Sequence, residues 1–251
     1  NNPLASPNII GVNAGSGLFV LLFACIAPHA LGMSAAAAFL GALASALLVF
    51  FVSAYAGASR LTIVLAGMAL TAIFTAGMNT VLIFNPDAYV NSSGFLVGSL
   101  SGVMMSELAI PGAMICAGLL LAAGQGTRLN ILSLGDEGAH ALGLNVNRTR
   151  LALLSLAALL AGAAVCFSGL IGFVGLIVPH VVRYVVGHDN RRVLALSPIV
   201  GAILVCACDT IARTLFAPFE IPVGICMALV GGPFFIYLIL HSRKGSVDGR
   251  A

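Results

Sequence analysis

Tryptophan is absent from this 251-residue chain, lysine occurs once, at Lys244, and Asp, Glu, Lys and Arg together supply only 8% of the residues. A soluble domain is about a quarter charged. Eleven basic and eight acidic side chains cannot clothe the exterior of a soluble fold of this size. What is present instead is apolar: AVILMFWYC residues make up 60% of the chain and the mean hydropathy is +1.11. Lipid must solvate much of the surface, which excludes soluble enzymes, secreted scaffolds and disordered chains. The net charge of +3 is small and dispersed, so no nucleic-acid partner is expected. The chain opens on Asn1-Asn2-Pro3 with neither Met nor a signal peptide. It reads as a fragment whose N-terminal part is missing.

Other absences bear on chemistry. The single lysine follows Arg243, so there is no GxxxxGK[ST] phosphate loop. There is no HExxH, no GxSxG and no Cys/His cluster. No catalytic residue, no metal site and no cofactor are expected on this chain, and it does not read as an enzyme. If ATP drives it, ATP and Mg must sit on another polypeptide. The six cysteines (25, 116, 166, 206, 208 and 226) all lie in apolar runs without a CxxC pair and read as small packing residues.

A helix needs about 20 apolar residues to cross a hydrocarbon core of about 30 Å. That ruler finds eight spans, near 9–27, 35–56, 61–84, 107–124, 150–168, 170–186, 193–216 and 223–240. The expected fold class is therefore all-α, a polytopic transmembrane helical bundle. Leu151 to Val186 is nearly continuous, and as one helix it would run over about 50 Å. Ser168-Gly169 is the place to fold back, leaving a short, irregular sixth span marked by Gly172, Gly175 and Pro179. The linkers support this division. Arg60, Arg128, Arg148, Arg150, Arg191, Arg192, Arg243, Lys244 and Arg250 fall on one side, while the opposite linkers hold Asp87, Glu107 and Glu220 and no Lys or Arg. The positive-inside rule makes the arginine-rich side cytoplasmic, together with the tail after residue 241. Glycine is abundant in and beside the spans, including Gly94, Gly98 and Gly102 at four-residue spacing. This suits closely packed helices or a dimer interface.

Three linkers are more than turns. Asn85 to Ser106 begins with a turn signal, and Phe95-Leu96-Val97 reads as a short helix on or in the outer leaflet, a lid or simple packing. Gly124 to Arg150 is far longer than two spans require. Asp136 and Glu137 suit a helix first turn, Gly143 is its C-cap candidate, and the whole reads as a docking element for a soluble partner or an interfacial helix. Val178 to Arg183 places a helix-breaking Pro179 beside His180, a ligand, a proton carrier or a satisfied helix-end histidine, and beside a snorkelling Arg183. Within a span, Asp209 and Arg213 share a helix face at i and i+4. An intramembrane charge is a functional candidate, although a helix-stabilising pair explains them too.

Several blocks, in order, resemble one known family. They are Asn2-Pro3-Leu4-Ala5-Ser6-Pro7 with Gly11-Val12-Asn13-Ala14-Gly15; Leu132-Ser133-Leu134-Gly135-Asp136-Glu137 with Ala139 and Leu142-Gly143; Gly169 to His180 with Arg183; and Asp209 to Arg213 followed by Glu220 to Gly224 and Gly232 to Phe235. This pattern is similar to that of the FecCD-type permeases, membrane subunits of bacterial ABC importers for iron-siderophores, haem and cobalamin. The resemblance covers almost the whole chain. It implies ten transmembrane helices in the family fold, of which this chain would lack the first two, and a single permease domain over 1–251 with a coupling segment at 125–149. The implied location is the bacterial inner membrane. The implied partners are cytoplasmic ATPase subunits, an extracytoplasmic substrate-binding protein and a second permease copy. Leu132, Ser133, Gly135, Asp136, Glu137, Ala139, Leu142 and Gly143 would couple to the ATPase, and Arg213 and Glu220 would meet the binding protein. Gly138 departs from the pattern, standing where a helix-favouring residue is common.

The expected mechanism is alternating access. A bulky chelate passes along a path between two copies, with Thr75, Met78 and Asn79 as lining candidates and Gly172, Gly175, Pro179, His180 and Arg183 at a helix break or gate. The metal travels inside its ligand. The alternative is an ion-coupled secondary transporter, which needs acids at mid-membrane. Asp209 is the one available, and Arg213 is placed to pair with it.

Overall fold

The computed structural model describes residues 11–26, 34–55, 60–215 and 217–247. Among them are eleven helices and no strand: α1 (Val12–Ile26), α2 (Ser34–Tyr55), α3 (Arg60–Phe84), α4 (Pro86–Val97), α5 (Ala109–Ala123), α6 (Gly126–Ser133), α7 (Asp136–Ala141), α8 (Val146–Ser168), α9 (Val174–Val186), α10 (Asn190–Leu215) and α11 (Val223–Val247). Four helices, α2, α3, α8 and α10, are long and apolar enough to cross a membrane, or five if α5 and α6, bent by 54° at residues 124–125, form one broken span. Three apolar helices are shorter: α1, α9 and the Val223–Leu238 part of α11. At 13 residues, α9 is about 20 Å long against a core of about 30 Å. The motif at Asn2 to Pro7, the linker before Ser34, and the side chains of Arg60, Arg243, Lys244 and Arg250 lie outside the described residues.

Small residues explain how α1, α2 and α8 meet. A Cβ on Gly15 would strike the Gly41 carbonyl, and one on Gly41 would strike that of Gly15, so the two backbones touch. Val12 packs with Ala42, Ala46 and Ala158, and Val20 with Ala38 and Val165. Ser45, fully buried, donates to the Gly11 carbonyl at 2.8 Å. A second group joins α9, α10 and α11 through Ile177, Cys208, Val223 and Met227, and through Val178, Val182 and Val193. All six cysteines are unpaired; Cys206 is exposed and Cys208 buried, as two-residue spacing on one helix requires.

The two groups are joined by the linkers opposite the arginine-rich end. Helix α8 stops at Ser168 because Gly169 has φ +67° and ψ −160°, a region open essentially to glycine alone. A Cβ there would also overlap the Phe95 carbonyl. That carbonyl accepts the Leu170 N–H at 2.9 Å, and the Gly98 carbonyl accepts the Gly224 N–H at 2.9 Å. The expected three-residue helix at Phe95 is therefore the end of a 12-residue helix, with Phe95 packed against Val20, Ala38 and Val165. Packing of Phe95 against α1, α2 and α8 holds this end of the helix inward.

Candidate functional site

Two polar constructions stand at opposite ends of the bundle. At the arginine-rich end, the linker expected between the fourth and fifth spans is an ordered pair of helices, α6 and α7. The chain turns between them at Gly135, whose φ of +96° and ψ of +170° suit only glycine. Asp136 and Glu137 occupy the first turn of α7, where acids complement the helix dipole. The C-terminus closes as a Schellman motif: the Gly143 N–H reaches the His140 carbonyl at 2.9 Å and the Leu144 N–H the Ala139 carbonyl at 3.0 Å. Gly138 sits under Leu134, whose Cβ would lie 3.2 Å from an added Cβ. A larger residue there would crowd the turn.

The pair is anchored on its inner side and open on its outer side. Ala139 is fully buried. Asp136 accepts from Arg150 Nη2 at 2.6 Å, tying α7 to the first turns of α8. Asn145 caps α8 by accepting the Arg148 N–H at 3.1 Å. Ser133 donates to the Asn130 carbonyl, and Leu132 is half-buried. Leu134 and Leu142 are 66% and 61% exposed, and Glu137, His140 and Gly143 are exposed as well. Exposed leucines beside a charged residue, on helices held by the rest of the chain, have the composition of a surface on which proteins dock.

At the opposite end, Ser99, Ser101, Asp209, Arg213, Glu220, Ile221 and Pro222 line a cavity of about 150 Å³. Arg213 Nε donates to Asp209 Oδ2 at 2.8 Å, and Ser101 donates to Glu220. The structure thus brings Arg213 and Glu220 into one polar recess, although they come from α10 and the loop after it.

The helix-break residues are dispersed. Gly172 lies in the irregular stretch 169–173, and Gly175, Pro179, His180 and Arg183 lie inside α9. Pro179 leaves the Gly175 carbonyl without its helical donor. His180 Nδ1 donates to the Leu176 carbonyl at 2.9 Å, so this histidine is satisfied by its own helix. Gly175 borders a cavity of about 300 Å³ between α8, α9 and α10, walled mainly by apolar side chains. Thr75, Met78 and Asn79 are not part of that cavity. They lie on α3, Thr75 and Asn79 exposed and Met78 half-buried, with Met78 beside Gly17.

Sequence reasoning missed three features. Phe173 takes φ +65° at the start of α9, unusual for a bulky residue, and its ring fills the space that a side chain at position 231 would need. Ser99 and Ser101 belong to the outer recess. Asn130 and Asp189, 59 residues apart, hydrogen-bond at 2.8 Å. None carries a local signal except Asp189-Asn190, a helix-start dipeptide.

A family model for the FecCD transport family matches residues 1–241. The chain is 39% identical over 249 residues to the hemin transport system permease protein HmuU of Yersinia pestis, covering 97% of this chain and 75% of that protein. It is 37% identical over 244 residues to the Fe(3+)-citrate import system permease protein YfmD of Bacillus subtilis (97% and 72% covered). It is 38% identical over 242 residues to the cobalamin import system permease protein BtuC of Halobacterium salinarum (95% and 64%). Among solved structures, an ABC transporter described as of metal-chelate type, in an inward-facing conformation, superposes with a TM-score of 0.86 at 31% identity, covering 95% of this chain and 78% of that one. PsaBC from Streptococcus pneumoniae shares the fold at a TM-score of 0.63 and 22% identity, covering 94% and 89%.

Proposed function

Because the chain belongs to the FecCD transport family, it is a multi-pass membrane permease subunit of an ABC importer, and we propose that its cargo is a metal chelate of the haem, ferric-siderophore or cobalamin class. The relatives named for hemin, ferric citrate and cobalamin support that class without choosing within it.

In this reading all eight apolar segments cross the inner membrane, the short α9 completing its crossing through the irregular stretch 169–173, and the family's ten-helix fold includes two more. The arginine-rich end and the tail after residue 241 face the cytoplasm. Leu132, Ser133, Gly135, Asp136, Glu137, Ala139, Leu142 and Gly143 form the element that seats on a separate ATPase. ATP and Mg bind there and not on this chain. Arg213 and Glu220 receive an extracytoplasmic binding protein. The path runs between this subunit and a second copy, with Thr75, Met78 and Asn79 along it and the α9 helix-break residues at its margin.

The observation that carries the reading is the exposed Leu134–Leu142 face on helices that the chain itself holds in place. An ion-coupled carrier is disfavoured because Asp209, the one acid within a span, is paired with Arg213. The test is co-purification with the partner ATPase, followed by uptake of haem, ferric citrate and cobalamin in proteoliposomes. Capture of the ATPase and ATP-dependent uptake of one probe are expected. Nucleotide-independent uptake driven by an ion gradient would overturn the reading.

A further inference from the structure

The α6–α7 pair is tied to the bundle twice, and the second tie is not to its sequence neighbours. Asn130 on α6 uses both ends of its amide on the start of α10. Its Nδ2 donates to Asp189 Oδ1 at 2.8 Å, and its Oδ1 accepts the Asn190 N–H at 2.9 Å. Asp189 Oδ1 also accepts the Arg191 N–H at 3.1 Å, which makes it the N-cap of α10. Arg191 returns the contact, donating through Nε and Nη2 to Thr127 Oγ1 at 3.0 and 2.6 Å. Beneath these bonds the elements touch: a Cβ on Gly126 would lie 2.8 Å from the Arg191 Cα. The Asn130 bond, with smaller help from the Arg191 N–H and nearby arginines, holds the Asp189 carboxyl below its ordinary value.

Helix α10 runs 26 residues from this clamp, about 39 Å at helical rise, and its far end carries Asp209 and Arg213. We propose that the Asn130–Asp189 clamp makes α10 the rod that follows the ATPase-docked segment, so that Asn130 and Asp189 are positioning residues of energy coupling that carry motion to the Arg213 recess. The separate Asp136–Arg150 tie hands the same motion to α8. The clamp touches neither nucleotide nor cargo. It acts by removing slack between the docked helices and one span. A hydrogen-bonded junction with both elements in backbone contact transmits displacement, whereas a flexible linker absorbs it. This inference rests on the proposed docking of an ATPase on α6 and α7.

The test uses the full-length chain co-expressed with its ATPase, its native cysteines replaced and Thr214→Cys placed at the far end of α10. The rate at which a membrane-impermeant maleimide labels this position is read with and without ATP-vanadate. With the clamp intact, the nucleotide is expected to change the rate by about fivefold or more, the lower range of coupling between linked sites. Asp189→Ala should abolish the response while the ATPase still co-purifies. The exchange Asn130→Asp with Asp189→Asn keeps one amide and one carboxylate in the pair and should restore it. If Asp189→Ala does not accumulate in membranes, Thr127→Val, which removes the acceptor for Arg191, is read in the same way. A rate insensitive to nucleotide with the clamp intact, or a full response in the clamp variants, overturns the proposal. Failure of the unaltered chain to capture the ATPase is seen separately and sinks the docking reading itself.

Discussion

Gly135 and Gly169 show how single residues set both ends of the molecule. Each occupies a backbone region that a side chain excludes, and such a conformation costs about 1–3 kcal/mol when forced. Gly135→Ala is expected to lower ATPase capture while leaving the spans inserted. Gly169→Ala, which also overlaps the Phe95 carbonyl, should deplete folded protein from the membrane; equal accumulation of the two variants would contradict this ranking. Asn145→Ala removes the cap of α8 and should cost about 1 kcal/mol, seen as a lower melting temperature in detergent. Asp189 adds a pH signature. Its folded carboxyl value is depressed, so its contribution is present above the unfolded carboxylate value and is lost as pH falls through the folded one. The melting-temperature gap between wild type and Asp189→Asn should stay constant from about pH 8 to 5 and shrink only below about pH 4. A gap that closes near pH 6 would assign the effect to another group. Gly169 was legible as the break in a long apolar run, and Gly135 only as part of the segment that resembles the family's coupling motif. The Asn130–Asp189 bond was not, because its partners are distant in sequence and each is an ordinary surface residue alone.

Among the elements, α7 was the most legible. Acids in its first turn and Gly143 past its end are local signals, and the observed helix is built on both. Helix α4 was the least legible. The sequence suggested a turn at Asn85 and only a three-residue helix at Phe95, yet Pro86 at its start and the packing of Phe95 against α1, α2 and α8 hold twelve residues helical. That is tertiary burial overriding weak propensity. The bend between α5 and α6 was equally hidden, since it is fixed by what α6 packs against on α10. For the docking element, Glu137→Arg or deletion of 136–142 should reduce ATPase co-purification and uncouple hydrolysis from uptake. Unchanged pull-down would remove α7 from the interface.

At the scale of the whole molecule, the two polar constructions lie at opposite ends of one bundle, joined by α8 and α10. Arg213 is engaged through Nε with Asp209, a side-on bond that leaves the outer edge of the guanidinium for a second carboxylate. Arg213→Glu should weaken binding-protein docking, with the loss greatest at low ionic strength and fading as salt is raised. Equal affinity of the two proteins at low salt would exclude Arg213 from docking.

Composition by itself determined that the chain lives in lipid, because too few charged groups exist to meet water. The lengths of the apolar runs located the long helices α2, α3, α8 and α10, since bilayer thickness sets how many apolar residues a crossing helix needs. Tertiary structure decided which polar groups act together. The Arg213–Glu220 recess, the seam at Phe95 and Gly98, and the clamp between α6 and α10 all join residues that are remote in sequence. Hydrogen bonds and close backbone approach exist only where packing brings their partners within a few ångströms.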